Sequence, residues 1–158
     1  MFSKLFTKFS KEIGIDLGTS NTRVFVKEKG IVIDEPTVVA INTKTEQILA
    51  VGNEAKSMLG KTPPHIVVSR PLSKGVVSDY EVAEKMLKYF IDKVHEDAFT
   101  LIARPRVVIC APLEVTEVEI KAIEDAIASA GARQVFVVQG PVAAAVGARM
   151  PIQDPVGN

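Results

Sequence analysis

An α/β fold, a mixed sheet with flanking helices, is what this 158-residue sequence predicts. Its first half strings short apolar runs between polar, glycine- and proline-bearing turns, the mark of meandering strands. From Ser78 onward the order becomes helix, strand, helix, strand, helix, and the combination implies an α/β layer with mixed pairing. With 47% hydrophobic and 24% charged residues, a chain of this length can bury a substantial single core.

In the first element, residues 1–11, Phe2, Leu5, Phe6 and Phe9 recur at i, i+3, i+4 and i+7, with Lys4, Lys8 and Lys11 between them. That spacing predicts an amphipathic basic helix. Phe2, Lys4, Leu5, Phe6, Lys8 and Phe9 suit a helix lying in the plane of an anionic bilayer, and the same stripe would also suit docking on the chain's own domain. Burying four apolar side chains at ~1.5–3 kcal/mol each, with ~1 kcal/mol per lysine, is mostly offset by ordering about ten residues at ~1 kcal/mol or more each. One copy therefore holds a membrane weakly, whereas many copies on one polymer hold it by avidity.

The run from Ile13 to Thr22, followed by Val24, Phe25 and Val26, reads as strand, tight polar turn, strand. Gly18 at the corner permits backbone geometry that other residues resist. Successive N–H groups and the Thr19, Ser20 and Asn21 side chains can then converge on an anion, for which a nucleotide phosphate is the natural guest. Asp16, at the end of an apolar strand, can hold a hydrated Mg²⁺ that bridges phosphate oxygens. Turns of this composition also close ordinary hairpins.

Gly30 to Ile41 reads as a turn and a further strand, and Gln47 to Val51 as another. Asn53 is placed to cap a short helix through Leu59, which Gly60 ends before the apolar run Ile66-Val67-Val68. Gly60-Lys61-Thr62 is not a phosphate loop of the P-loop type, since that pattern needs glycine where Ala55 stands and a strand just upstream. Ser78 to Glu81 has capping-box spacing and opens a helix whose apolar side is Val82, Met86, Leu87, Phe90, Ile91 and Val94. Arg106 to Ala111 is a strand, Thr116 to Glu119 caps a helix that runs to Ala130 and stops at Gly131, Gln134 to Val138 is a strand, and Pro141 begins a last helix.

Net charge is zero, which gives no reason to expect a nucleic-acid partner. No stretch approaches the ~20 apolar residues of a membrane span, and the N-terminus lacks the apolar core of a secretion signal, so a cytoplasmic location is expected. Cys110, the one cysteine, cannot form an internal disulfide and reads as a core thiol. His65 and His95 have no second ligand at metal spacing.

Taken in order, Asp16-Leu17-Gly18-Thr19-Ser20-Asn21-Thr22, Glu35-Pro36, Val51-Gly52-Asn53-Glu54-Ala55-Lys56, Arg70-Pro71-Leu72, Lys85 to Phe90, Pro105 to Cys110, Ala130 to Arg133 and Pro141 to Ala145 resemble the N-terminal half of the MreB family, bacterial actin-like rod-shape-determining proteins. The resemblance implies an actin-like ATPase domain of ribonuclease H-like topology over residues 12–150. Residues 34–75, approximately, would form a small-subdomain insertion and 151–158 a loose tail. ATP with Mg²⁺ is the implied ligand pair, with Gly18, Thr19, Ser20 and Asn21 gripping the phosphates and Asp16 near the metal through water. The implied partners are further copies in antiparallel double filaments, the inner face of the cytoplasmic membrane and the cell-elongation machinery.

Two departures from the family pattern carry expectations of their own. The family usually has two glutamates before the proline that matches Pro141, the second positioning the attacking water; here those places are Gln139 and Gly140. Hydrolysis is therefore expected to be slow or absent, and a catalytically impaired membrane-bound scaffold of the same fold is the alternative function. The sequence also stops at Asn158, before the family's second phosphate loop, so weak ATP binding is expected of these residues alone.

Overall fold

A computed structural model of the chain describes residues 12–73, 76–95, 104–112 and 115–152. The predicted amphipathic helix over residues 1–11 and most of the predicted tail lie outside the described residues.

Among the described residues the main sheet has five strands in the order β10 (Gln134–Gln139), β9 (Arg106–Ala111), β1 (Glu12–Leu17), β2 (Asn21–Val26) and β3 (Gly30–Pro36). β1 pairs antiparallel with β2 and parallel with β9, so the central strand is where the two kinds of pairing meet. Alternation along these strands sends Ile13, Ile15, Leu17, Val24, Val26, Val107 and Ile109 to one face, all buried. Two helices cover that face. The first, Tyr80–His95, aligns Met86, Leu87 and Phe90 over the sheet, and the second, Glu117–Ser129, adds Ile123, Ala126 and Ile127.

The helix starts follow from side-chain acceptors. Asp79, not Ser78, caps the Tyr80–His95 helix: its Oδ1 accepts the Val82 N–H at 3.1 Å, while the Ser78 hydroxyl donates to the Pro71 carbonyl instead. The expected capping box is present at Glu117–Ser129. Thr116 Oγ1 accepts the Glu119 N–H, and Glu119 accepts the Thr116 N–H at 2.7 Å. Those Thr116 donors hold the Glu119 carboxyl below the usual carboxylate range.

Gly30 to Ile41 is not one strand. β3 ends at Pro36, and β4 (Val39–Asn42) begins a second sheet in the order β5 (Gln47–Val51), β4, β6 (Ile66–Ser69), because Thr37 and Val38 turn the chain between them. Its small apolar cluster joins Val38, Ala40 and Ala50 to Ala55 of helix α1 (Asn53–Ser57). That helix is shorter than expected, and Asn53 is its first residue, not its cap. Glu35 Oε2 lies 3.4 Å from the Asn53 N–H and supplies the acceptor from outside. A short hairpin, β7 (Leu72–Ser73) with β8 (Val76–Val77), leads into the helix Tyr80–His95 (α2), and Glu117–Ser129 (α3) and Gly140–Gly147 (α4) follow later in the chain.

Cys110 is not a core thiol. It is half-buried on the opposite face of β9 from Val107 and Ile109, and burial, reinforced by the Asp16 charge, pushes its pKa up. That open face also carries Gly14, Arg23, Phe25, Val108 and Phe136.

Candidate functional site

β1, β9 and β10 run parallel, so their C-terminal ends reach one edge of the sheet together. In register, Asp16 stands beside Cys110 and Cys110 beside Val138, while Ala111 stands beside Gln139. The 18–21 loop leaves β1 at this edge, and α4 starts on it at Gly140 directly after β10. Open α/β sheets bind ligands outside the carboxyl ends of their parallel strands, where loops and helix starts converge. Two stretches far apart in sequence, Asp16 with Gly18, Thr19, Ser20 and Asn21, and Gln139 with Gly140, are thereby brought to one edge.

The loop is closed by the Gly18 N–H donating to the Asn21 carbonyl at 3.1 Å. Glycine is needed here for closeness of approach and not for a left-handed backbone, since a Cβ on Gly18 would lie 2.7 Å from that carbonyl oxygen. Beneath the loop are two fully buried hydroxyls, Thr22 and Thr37. Thr37 Oγ1 donates to the Gly18 carbonyl at 2.6 Å and sits 2.9 Å from Thr22 Oγ1, while the Thr37 N–H donates to the Ser20 carbonyl at 2.9 Å. Both loop carbonyls are thus drawn down toward the sheet. Ser20 is exposed at the tip and Thr19 is half-buried beside it.

Replacing Thr37 with valine keeps the shape but orphans the Gly18 carbonyl and the Thr22 hydroxyl. We expect Thr37→Val to destabilise the chain by about 2 kcal/mol and Thr37→Ser by much less, read as a shift in urea midpoint at constant slope. Equal stability of the valine variant would mean that the loop stands without the clamp.

Asp16 is well exposed at the end of β1, with 56% of its side chain accessible, and Arg23 Nη1 lies 3.7 Å from its Oδ2. Asn21 is already engaged: its Nδ2 donates to Asp34 Oδ1 at 2.9 Å, across to β3. Those donors, Asn21 first and Arg23 second, hold the Asp34 carboxyl below its usual range. The sequence reading missed Thr22, Thr37, Arg23 and Asp34. Threonine at an inward position of an otherwise apolar strand was the available signal for Thr22, since such a hydroxyl must find a partner.

The donor set fits a hydrated Mg²⁺, which needs only one or two carboxylates when phosphate oxygens complete its shell. Among the described residues no three His, Cys, Asp or Glu side chains gather as a metal cage. An open apolar hollow of about 420 Å³, lined by Gly14, Phe25, Val108 and Phe136 with Glu12, Lys27 and Arg106 around it, includes none of the site residues. Among the described residues no helix is long and apolar enough to cross a membrane.

The family model for the MreB/Mbl protein matches residues 10–158. The cell shape-determining protein Mbl of Bacillus cereus is 51% identical over 150 residues, covering 95% of this chain and 44% of that relative. The cell shape-determining protein MreB of Haemophilus influenzae is 48% identical, covering all of this chain and 46% of its own length. The chain thus spans about half the length of the relatives it matches. Among solved structures, MreB5 of Spiroplasma citri bound to ADP superposes with a TM-score of 0.82 at 33% identity over 94% of this chain and 44% of that one. The MamK double helical filament, at 21% identity and a TM-score of 0.74, shares the fold. With its mixed sheet, its flanking helices and this family match over nearly the whole sequence, the chain has the actin-like fold and belongs to the MreB/Mbl family.

Proposed function

We propose that this chain forms one wall of an ATP and Mg²⁺ site in an actin-like cytoskeletal protein, which polymerises into membrane-associated filaments that direct cell-wall elongation and rod shape. The observation that carries the reading is the convergence of Asp16, the clamped 18–21 loop and the start of α4 at one sheet edge. The ADP bound to the Spiroplasma citri protein supports a nucleotide as guest. Thr19, Ser20 and the loop amides would hold phosphate oxygens, and Asp16 would hold the metal's water shell. When bound, Mg²⁺ supplies charge neutralisation between phosphate oxygens. Phe2, Leu5, Phe6 and Phe9 with Lys4 and Lys8 would place the filament on the inner face of the cytoplasmic membrane, in reach of the elongation machinery.

A scaffold that binds nucleotide without turning it over is the second reading, favoured by Gly140, which offers no side chain to a water. Both readings can be tested on a chimera joining residues 1–158 to the remainder of Bacillus cereus Mbl. Calorimetry with Mg-ATP should give saturable binding, and pelleting with anionic phospholipid vesicles should depend on residues 1–11. Failure of the folded chimera to bind Mg-ATP would remove the nucleotide reading, and undiminished pelleting after deletion of 1–11 would remove the anchor.

A further inference from the structure

Arg23 takes no part in the core, yet it stands at the centre of the polar edge. It leaves β2 on the open face of the sheet, in register with Asp16 on β1 and Asp34 on β3. Its guanidinium forks between them. Nε donates to Asp34 Oδ2 at 3.2 Å, while Nη1 lies 3.7 Å from Asp16 Oδ2. The two contacts differ in kind: the first is a hydrogen bond, the second an ion pair too long to be one. Asp34 is fixed in turn by Asn21 Nδ2 at 2.9 Å. The base of the fork is therefore pinned to the sheet, and its tip is held by charge alone. With side chains 49% and 56% accessible, Arg23 and Asp16 make a water-screened pair that separates at little cost.

We propose that Arg23 is a phosphate-binding residue: with Nε kept on Asp34, its terminal nitrogens turn from Asp16 to an oxyanion seated over residues 18–21. The inference rests on the nucleotide reading above. A guanidinium and a hydrated Mg²⁺ held on the one Asp16 carboxylate would repel each other, and the screened Arg23 contact at 3.7 Å is the one that gives way. A guanidinium displaced from Asp16 keeps planar donors whose geometry matches phosphate oxygens, and a polyphosphate beside the loop would be a second counterion for it beyond Asp34. Asp34 is then a positioning residue, acting through the Nε it holds.

The test uses the chimera described above, with ATP and adenosine as titrants, in Mg²⁺ and in EDTA. Arg23→Leu should weaken ATP binding by about 10- to 100-fold in both conditions, the loss expected for a hydrogen bond to a charged group. Adenosine binding should be unchanged and Arg23→Lys should recover part of the loss. Asp34→Asn should weaken ATP several-fold alone and add nothing to Arg23→Leu, because it acts through the same group. Melting temperatures within a few degrees of the unsubstituted chimera establish that the variants are folded, and Arg23→Gln stands in for leucine should that variant fail to fold. Unchanged ATP affinity in Arg23→Leu overturns the proposal, as does tighter binding confined to Mg²⁺, which would make Arg23 only a competitor for Asp16. If the unsubstituted chimera binds adenosine but gains nothing from the phosphates, the nucleotide reading falls and this inference with it.

Discussion

A chimera carrying Gly140→Glu is expected to hydrolyse ATP about 10²-fold or more faster than the same chimera with glycine, the factor typical of a positioned general base. The site accepts a side chain. Gly140 has no left-handed backbone, and a Cβ there would meet one atom, the Ala111 carbonyl oxygen, at an ordinary 3.4 Å. It lies at the junction of β10 and α4, on the same edge as Asp16, so a carboxylate on this residue would stand at the edge proposed above to hold phosphate. Gly140→Gln should give a smaller gain, since an amide orients water but takes no proton. Phosphate release at saturating Mg-ATP is the measurement. An unchanged rate with ATP affinity retained would mean that water is positioned by another group, and an unsubstituted chimera as fast as Bacillus cereus Mbl itself would show that no glutamate is needed.

The second large effect is on stability. Gly52, between β5 and α1, holds φ +66° and ψ −129°, a conformation costly for any residue with a Cβ. The Cβ of an alanine would also collide with the Glu35 carboxylate. Glu35 cannot simply step aside. Its side chain is mostly enclosed, and Oε1 lies 2.7 Å from Lys93 Nζ on α2, so this carboxylate ties β3, α1 and α2 together. Gly52→Ala should therefore destabilise by about 3 kcal/mol, strain plus a displaced ion pair, and lower Tm by roughly 6–12 °C. A shift under about 2 °C would show that Glu35 relaxes freely. Glu35 raises the Lys93 ammonium above its ordinary pKa, so this contribution is full below the ordinary lysine pKa and is lost as pH rises from there through the raised value.

Much of the fold was legible in the sequence because the core helices have one apolar side each. Val82, Met86, Leu87, Phe90, Ile91 and Val94 are all buried, as their spacing required. The strands were harder. Val107, Val108, Ile109 and Cys110 are all apolar, yet only alternate members face the core, because the open face of the sheet is itself apolar. Period-two reading has no contrast to work with there, which is why Cys110 reads as a core residue when it is not. The split between β3 and β4 was hidden for a related reason: Thr37 and Val38 continue a β-favouring run, and only tertiary contacts to the 18–21 loop show that the chain leaves one sheet for another. The acidic end of β1 and the glycine loop were visible as a local pattern. Thr37, Arg23 and Asp34 were not, since their hydrogen-bond partners lie 11 to 19 residues away and depend on strand register.

β1 has a further consequence for how the chain reaches its folded state. Its first neighbour, β2, follows within a few residues, but its second, β9, begins 94 positions after Glu12, a separation spanned by the Glu12–Arg106 ion pair. During synthesis the β1–β2–β3 meander can form early. The other margin of β1, with Ile13 and Ile15 along it, must then wait, unpaired, until residue 111 has left the ribosome. Long-range parallel pairing of this kind is slow and leaves a sticky border in the interim. Chains released or stalled before β9 emerges should aggregate, while those that have also released β10, which covers the far edge of β9, should not.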